Sequence, residues 1–207
     1  MKKNKGEYPL LEVPGGEKRV LLHTCCAPCS SAILEIMLKQ GLQPVIFYSN
    51  SNIFPEEEYL KRKTECQRYS AAKGVDIVED GYDHEEWRCI ARSLENEPER
   101  GKRCMQCFRF RLERAARYAH EHGIKVLTTT LASSRWKNLT QINAAGEYAC
   151  SLFPDVVWWD QNWRKGGLQE RRGQIIKEMN FYNQLYCGCE FSMPAEKDSE
   201  EKQDTHI

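Results

Sequence analysis

Short apolar strands alternate with longer helices about five times along this chain, and that alternation limits its fold more than any other feature. Arg19–His23 reads as a first buried strand, and Ser30–Gln40 as a helix with apolar Ile33, Leu34, Ile36, Met37 and Leu38, stopped by Gly41. Pro44–Tyr48 is a second strand, and Pro55–Lys73 a charged helix with Pro in its first turn and Gly74 beyond its end. Val75–Val78 follows as a strand, His84–Arg92 as a short helix, and Cys104–His122 as a long basic helix stopped by Gly123. The β-branched run Lys125–Thr130 is a further strand, then Asn138–Cys150 a helix, Asp155–Trp159 a strand and Gly167–Met179 a helix. Strands that alternate with helices pair in parallel, with helices on both faces of one sheet. Such α/β folds bind ligands at the carboxyl ends of the strands. The turn after the first strand is therefore a predicted site.

The chain has 207 residues, enough for one large domain with its own core. The expected division is a polar leader over 1–16, a single α/β domain over 17–193, and a polar tail over 194–207 that is expected to be disordered. Net charge is zero, so the whole molecule exerts no general pull on nucleic acid. The charge is uneven, however. Residues 53–86 carry ten acids against five bases, and residues 88–117 carry nine bases against four acids. A local basic face is compatible with that distribution. No secretory signal is visible, and no apolar run approaches the ~18 residues of a membrane span. The expectation is a cytoplasmic protein without a membrane partner, whose thiols stay reduced.

Seven of the ten cysteines fall into three groups: Cys25-Cys26-Ala27-Pro28-Cys29, Cys104-Met105-Gln106-Cys107 and Cys187-Gly188-Cys189. In a reducing compartment, grouped cysteines read as metal ligands or catalytic thiols. Cys26 and Cys29, and likewise Cys104 and Cys107, are spaced to share one face at a helix start. The partial positive charge there stabilises thiolates. Gly188 lets the backbone approach a metal closely. A structural zinc site and a cubane iron–sulfur cluster each take four thiolates. Seven are present, so a second or open metal is expected, with the adjacent Cys25 and Cys26 serving two neighbouring centres. Cys66, Cys89 and Cys150 stand alone in helical patterns and read as small buried hydrophobes.

The stretch Leu21-Leu22-His23-Thr24-Cys25-Cys26-Ala27-Pro28-Cys29-Ser30 closely resembles the opening motif of the QueH-type epoxyqueuosine reductases. The resemblance continues in Phe47–Pro55 with Glu58-Tyr59, in Arg103–Leu112, in Thr128–Leu131, in Trp163–Gly167 and in Tyr186–Cys189. Together these stretches span residues 19 to about 192. The resemblance implies a single-domain, Rossmann-like fold akin to the nucleotide α-hydrolase group. It implies reduction of the epoxide of epoxyqueuosine at the tRNA wobble position to queuosine, the last step of queuosine biosynthesis, without cobalamin. It also implies a [4Fe-4S] cluster beside an additional mononuclear iron, held among Cys25, Cys26, Cys29, Cys104, Cys107, Cys187 and Cys189. Cys29 stands where some relatives carry Asp, Ser51 where Pro is usual, and Phe54 where His is common.

The reaction needs an electrophile on the oxygen, a proton donor and an external electron donor of the ferredoxin or flavodoxin class. Tyr48, Tyr186 and Glu190 lie beside the motifs as candidate proton donors. Asn50 and Asn52 suit a deazaguanine edge or the cyclopentane diol, or else form an Asx-turn. Ser133, Ser134, Arg135 and Lys137 form either a phosphate cradle or an ordinary helix cap. Arg109, Arg111, Arg114 and Arg117 form either a tRNA-backbone stripe or a solvated face. Trp158, Trp159 and Trp163 are candidates to stack a flipped base, against a role in core packing. Two other functions remain open: a tRNA-thiolating or adenylating enzyme of the same fold, and a zinc-stabilised nucleic-acid-binding module. The first needs a Ser-Gly-Gly-x-Asp-Ser phosphate loop where this chain has Thr24–Ser30, without the glycines.

Overall fold

A computed structural model of the chain describes residues 8–193, so the predicted tail at 194–207 lies outside the described residues. Five strands, β1 (Arg19–Thr24), β2 (Gln43–Tyr48), β3 (Ile77–Glu79), β4 (Val126–Thr129) and β5 (Val157–Trp158), form one sheet. Their spatial order is β3-β2-β1-β4-β5, and every pair is parallel. Six helices connect and cover them: α1 (Ala27–Lys39), α2 (Glu56–Lys73), α3 (His84–Ala91), α4 (Lys102–Glu121), α5 (Leu139–Ser151) and α6 (Leu168–Glu178). This is the parallel α/β sheet that the alternation predicted and the Rossmann-like single domain that the family resemblance implied.

Successive strand residues point to opposite faces. Val20, Leu22 and Ile46 accordingly pack on one face with Ile33, Ile36 and Met37 of α1 and Ile175 of α6. Leu21, Val45 and Leu127 pack on the other with Leu112, Ala115 and Ala119 of α4 and Ala145 and Ala149 of α5. Each face is buried, so the strands read as continuous apolar runs rather than as alternating ones. The chain reverses direction of winding at β1, whose neighbours are β2 and β4. The carboxyl end of β1 is therefore the switch point where such folds open a crevice.

Several boundaries shift from the sequence reading, and two of the shifts matter most. Helix α1 begins at Ala27, not Ser30, because Pro28 occupies the first turn, where no N–H is needed. The helix therefore starts inside the first cysteine group. β5 is cut to two residues at the sheet edge. The described part of the predicted leader is packed rather than free. Leu11 is buried, the Tyr8 hydroxyl donates to Glu35 Oε1 (2.7 Å), and the Gln40 amide bonds both Leu11 N–H and the Pro9 carbonyl (2.8 Å each).

Candidate metal centre

His23 closes β1 from within. It is fully buried, with Nδ1 2.7 Å from Thr129 Oγ1 of β4 and Nε2 3.2 Å from the Ser49 carbonyl beyond β2. Burial first, and then the Arg111 charge, lower its pKa to about 3, so the ring is neutral. Beyond it the chain leaves the sheet. Cys25 N–H donates to Thr130 Oγ1 (3.0 Å), and that hydroxyl lies 3.3 Å from Cys25 Sγ. Cys26 is the extended N-cap of α1, with φ −171° and ψ 160°.

This geometry turns the side chains of Cys25 and Cys26 together. Their sulfurs are 3.8 Å apart, and those of Cys25, Cys26 and Cys29 all lie within 4.8 Å of one another. The adjacent pair, expected to serve two neighbouring centres, here lies with Cys29 in one group of sulfurs. An extended residue followed at once by a helical turn makes both thiols converge on one point. Hydrogen bonds from Cys26 and Cys29 hold the Cys25 thiol well below its ordinary value, against the opposing effect of burial. Burial pushes Cys26 up, and the bond to Cys25 pushes Cys29 up to about 11. Three sulfurs drawn together beside a helix N-terminus are a donor set prepared for a cation.

The other four cysteines form a looser group. Cys104 and Cys107 lie in the first two turns of α4, and Arg100 N–H donates to Cys104 Sγ (3.3 Å). The Cys187–Cys189 loop is fixed by Arg62, which donates to the carbonyls of Cys187 and Tyr186 (3.2 Å each) and to Glu58 (2.7 Å). Gly188 has φ 103°, and a Cβ there would meet Ile53 Cγ1 at 2.8 Å and Arg62 Nη1 at 3.2 Å. Only glycine fits so tight a loop in that conformation. A hydrogen bond from Cys189 lowers Cys187 to about 5, and the same contact pushes Cys189 up. Trp87, Ala91 and Phe110 pack apolar surface around Cys107 and Cys189.

Both groups open onto one cavity of about 740 Å³. Cys25 and Cys29 line one side, and Cys104 and Cys187 line another. Arg62, Arg100, Arg111, Arg135, Lys137 and Arg172 also line it, against the single acid Glu99. Burial acts to lower the Lys137 pKa, yet the thiolates of Cys187 and Cys25 outweigh it and hold the ammonium charged. The cavity is therefore built for an anionic ligand beside electron-rich sulfur.

The remaining predicted residues divide. Ser134, Arg135, Lys137 and Tyr186 line the cavity. Ser133 is buried and bonds the Thr130 carbonyl (2.8 Å). Asn50 is engaged internally, donating to the Thr24 carbonyl (2.9 Å) and accepting from Arg111. Asn52 is buried with Oδ1 unpartnered. Arg109 does not line the cavity; it stacks 4.5 Å over the Tyr148 ring. No arginine stripe forms on α4, because Arg111 is buried and Arg114 is paired with Asp80 and Glu86. Trp159 and Trp163 are buried against each other, and Trp158 packs on α5, so none of the three faces the cavity. Tyr48 is fully buried. Glu190 lies beside His84 and Arg88, and Phe54 stacks on His84 away from the cysteines. Gln184 was missed by sequence reasoning. Its Nε2 is 2.9 Å from Cys26 Sγ, and no motif or period marks it.

The profile of the family described as "Epoxyqueuosine reductase QueH" matches residues 20–195. This chain belongs to the QueH family. It is 46% identical over 185 residues to "Epoxyqueuosine reductase QueH" of Histophilus somni, covering 89% of this chain and 76% of that relative. The QueH protein of Haemophilus influenzae is 46% identical over 183 residues, covering 88% and 75%. That of Thermotoga maritima is 33% identical over 177 residues, covering 84% and 90%. The matched span takes in every QueH-like motif and all seven grouped cysteines.

Proposed function

We propose that this chain is an oxidoreductase that converts epoxyqueuosine in tRNA to queuosine, independently of cobalamin and in the cytoplasm. The observation that carries the reading is the delivery of a tight cysteine trio and a looser quartet to one cationic cavity at the strand ends. The donor sets fit two different groups. Cys25, Cys26 and Cys29 lie close enough to share one iron and leave a position open. Cys104, Cys107, Cys187 and Cys189 would supply the four thiolates that a [4Fe-4S] cluster takes. When bound, these groups supply electrons singly and a Lewis acid for the epoxide oxygen.

The overall step consumes two electrons and two protons and releases the oxygen as water, leaving an alkene. The electrons come from outside the chain, from a ferredoxin- or flavodoxin-class carrier. Lys137 Nζ is the proton donor that best suits the cavity, because it is the one ammonium among the described residues that lines it beside Cys25 and Cys187. Tyr186 is less available, since its hydroxyl donates to the Phe54 carbonyl. Gln184 orients Cys26 by donating to its sulfur. Arg62 holds the Cys187–Cys189 loop, and Ser134 and Arg135 meet the nucleotide at the rim.

Anaerobically prepared protein is expected to contain more than four irons with acid-labile sulfide. It is expected to turn epoxyqueuosine tRNA into queuosine tRNA with a strong reductant and no cobalamin. Zinc without iron, or no turnover under those conditions, sinks the reading.

A further inference from the structure

Trp136 is 78% exposed, the most exposed aromatic side chain among the described residues. Trp87, Trp159 and Trp163 are all buried. A tryptophan left in water loses the burial that normally stabilises it, roughly 25 cal/mol per Å² of apolar surface. Trp136 lies on the rim of the cysteine cavity, between Arg135 and Lys137.

Its backbone is fixed. Arg100 Nε donates to the Trp136 carbonyl (2.8 Å), and Arg164 Nη2 donates to the Lys137 carbonyl (2.8 Å). Asn138 then caps α5, accepting from Gln141 N–H (3.3 Å). Arg100 is itself held in a left-handed conformation, φ 68°, that a non-glycine residue adopts only under constraint. Its N–H is on Cys104 Sγ (3.3 Å), and its carbonyl accepts from Gln141 Nε2 (2.7 Å). One residue thus ties a cysteine of the cavity to the backbone of the exposed ring.

We propose that Trp136 is a stacking platform for an anticodon-loop base next to the modified nucleotide. This rests on the reading given under the proposed function. Single-stranded RNA is recognised by an unstacked base on an aromatic face, with cations along its backbone. Trp136 supplies the face, and Arg100, Arg135, Lys137 and Arg172 supply the charge. A lone ring among cations offers too little apolar surface to hold a lipid bilayer or an apolar helix.

The test uses the full chain and a synthetic anticodon stem–loop carrying guanosine at the wobble position. Trp136→Ala is expected to bind it about 5- to 140-fold more weakly, the range of one lost base–aromatic stack. Trp136→Phe is expected to recover most of the affinity. The salt dependence should be unchanged in Trp136→Ala, whereas Arg135→Ala should reduce the slope of log K against log salt by about one. In the parent, RNA should shield tryptophan fluorescence from acrylamide, and Trp136→Phe should lose that shielding. Unchanged affinity in Trp136→Ala, in protein whose parent turns over epoxyqueuosine tRNA, overturns the platform and leaves the proposed function standing. A parent that neither binds the stem–loop nor turns over substrate overturns both.

Discussion

At the scale of single residues, His23 shows how the site is held in place. Its ring joins Thr129 of β4 to the Ser49 carbonyl after β2, at the level where the sheet ends and the cysteines begin. Leucine there leaves the Ser49 carbonyl and Thr129 hydroxyl without that partner in the core. His23→Leu is expected to destabilise the protein by about 2–4 kcal/mol, read as a lower urea midpoint at unchanged slope. Gln184 acts on the site more directly. Gln184→Leu removes the donor on Cys26 and should weaken iron retention in a chelator challenge about 10-fold or more, with little change in thermal midpoint. Equal iron loss rates in the two proteins would argue against that role.

At the scale of elements, close packing and a partly exposed ion pair contribute to the stability. Gly146 of α5 faces the Trp158 ring so closely that an added Cβ would lie 2.3 Å from it. Alanine favours a helix over glycine by roughly 1 kcal/mol, but the overlap is larger. Gly146→Ala should therefore lower the denaturant midpoint rather than raise it. The N-terminal segment, α1 and α6 meet at Glu35, which accepts from Tyr8 (2.7 Å) and Arg171 (2.8 Å). Arg171, and then Tyr8 and Lys39, hold its carboxyl at about 2, below the ordinary 4.5, while burial opposes them. A lowered folded value means that the stabilisation is complete above pH 4.5 and is lost as pH falls from there toward 2. Screening at this partly exposed site leaves on the order of 1–2 kcal/mol. Thermal melts from pH 5 to pH 2 should show a steeper fall for the parent than for Glu35→Gln.

The elements were largely legible in the sequence, and the site was legible only in part. The strands and helices followed from apolar runs, from Pro at helix starts and from Gly at helix ends. The α4 stripe failed because helical spacing cannot distinguish a solvated arginine from one buried against acceptors. Arg111 meets the Ser49 carbonyl and Asn50, and Arg114 meets Asp80, all supplied by distant segments. Of the three tryptophans weighed between stacking and core packing, Trp159 and Trp163 took the core role. Trp136 fell on a rim where nothing covers it.

At the scale of the whole molecule, parallel winding carries residues 25, 104 and 187 to one end of the sheet. The two cysteine groups should therefore separate in metal content. Cys29→Ser is expected to reduce iron while keeping acid-labile sulfide, and Cys189→Ser to lose most of both. Loss of all sulfide in Cys29→Ser would reverse the assignment. The grouped cysteines, the strand–helix alternation and the family motifs are local in sequence, so the chain alone determined the fold class and the kind of donor the site offers. Which sulfurs converge, which cations surround them and which tryptophan stays in water depend on contacts across more than a hundred residues, such as Gln184 with Cys26. Only the folded sheet brings those partners together, because burial and hydrogen-bond pairing are satisfied by the whole structure and not by neighbours along the chain.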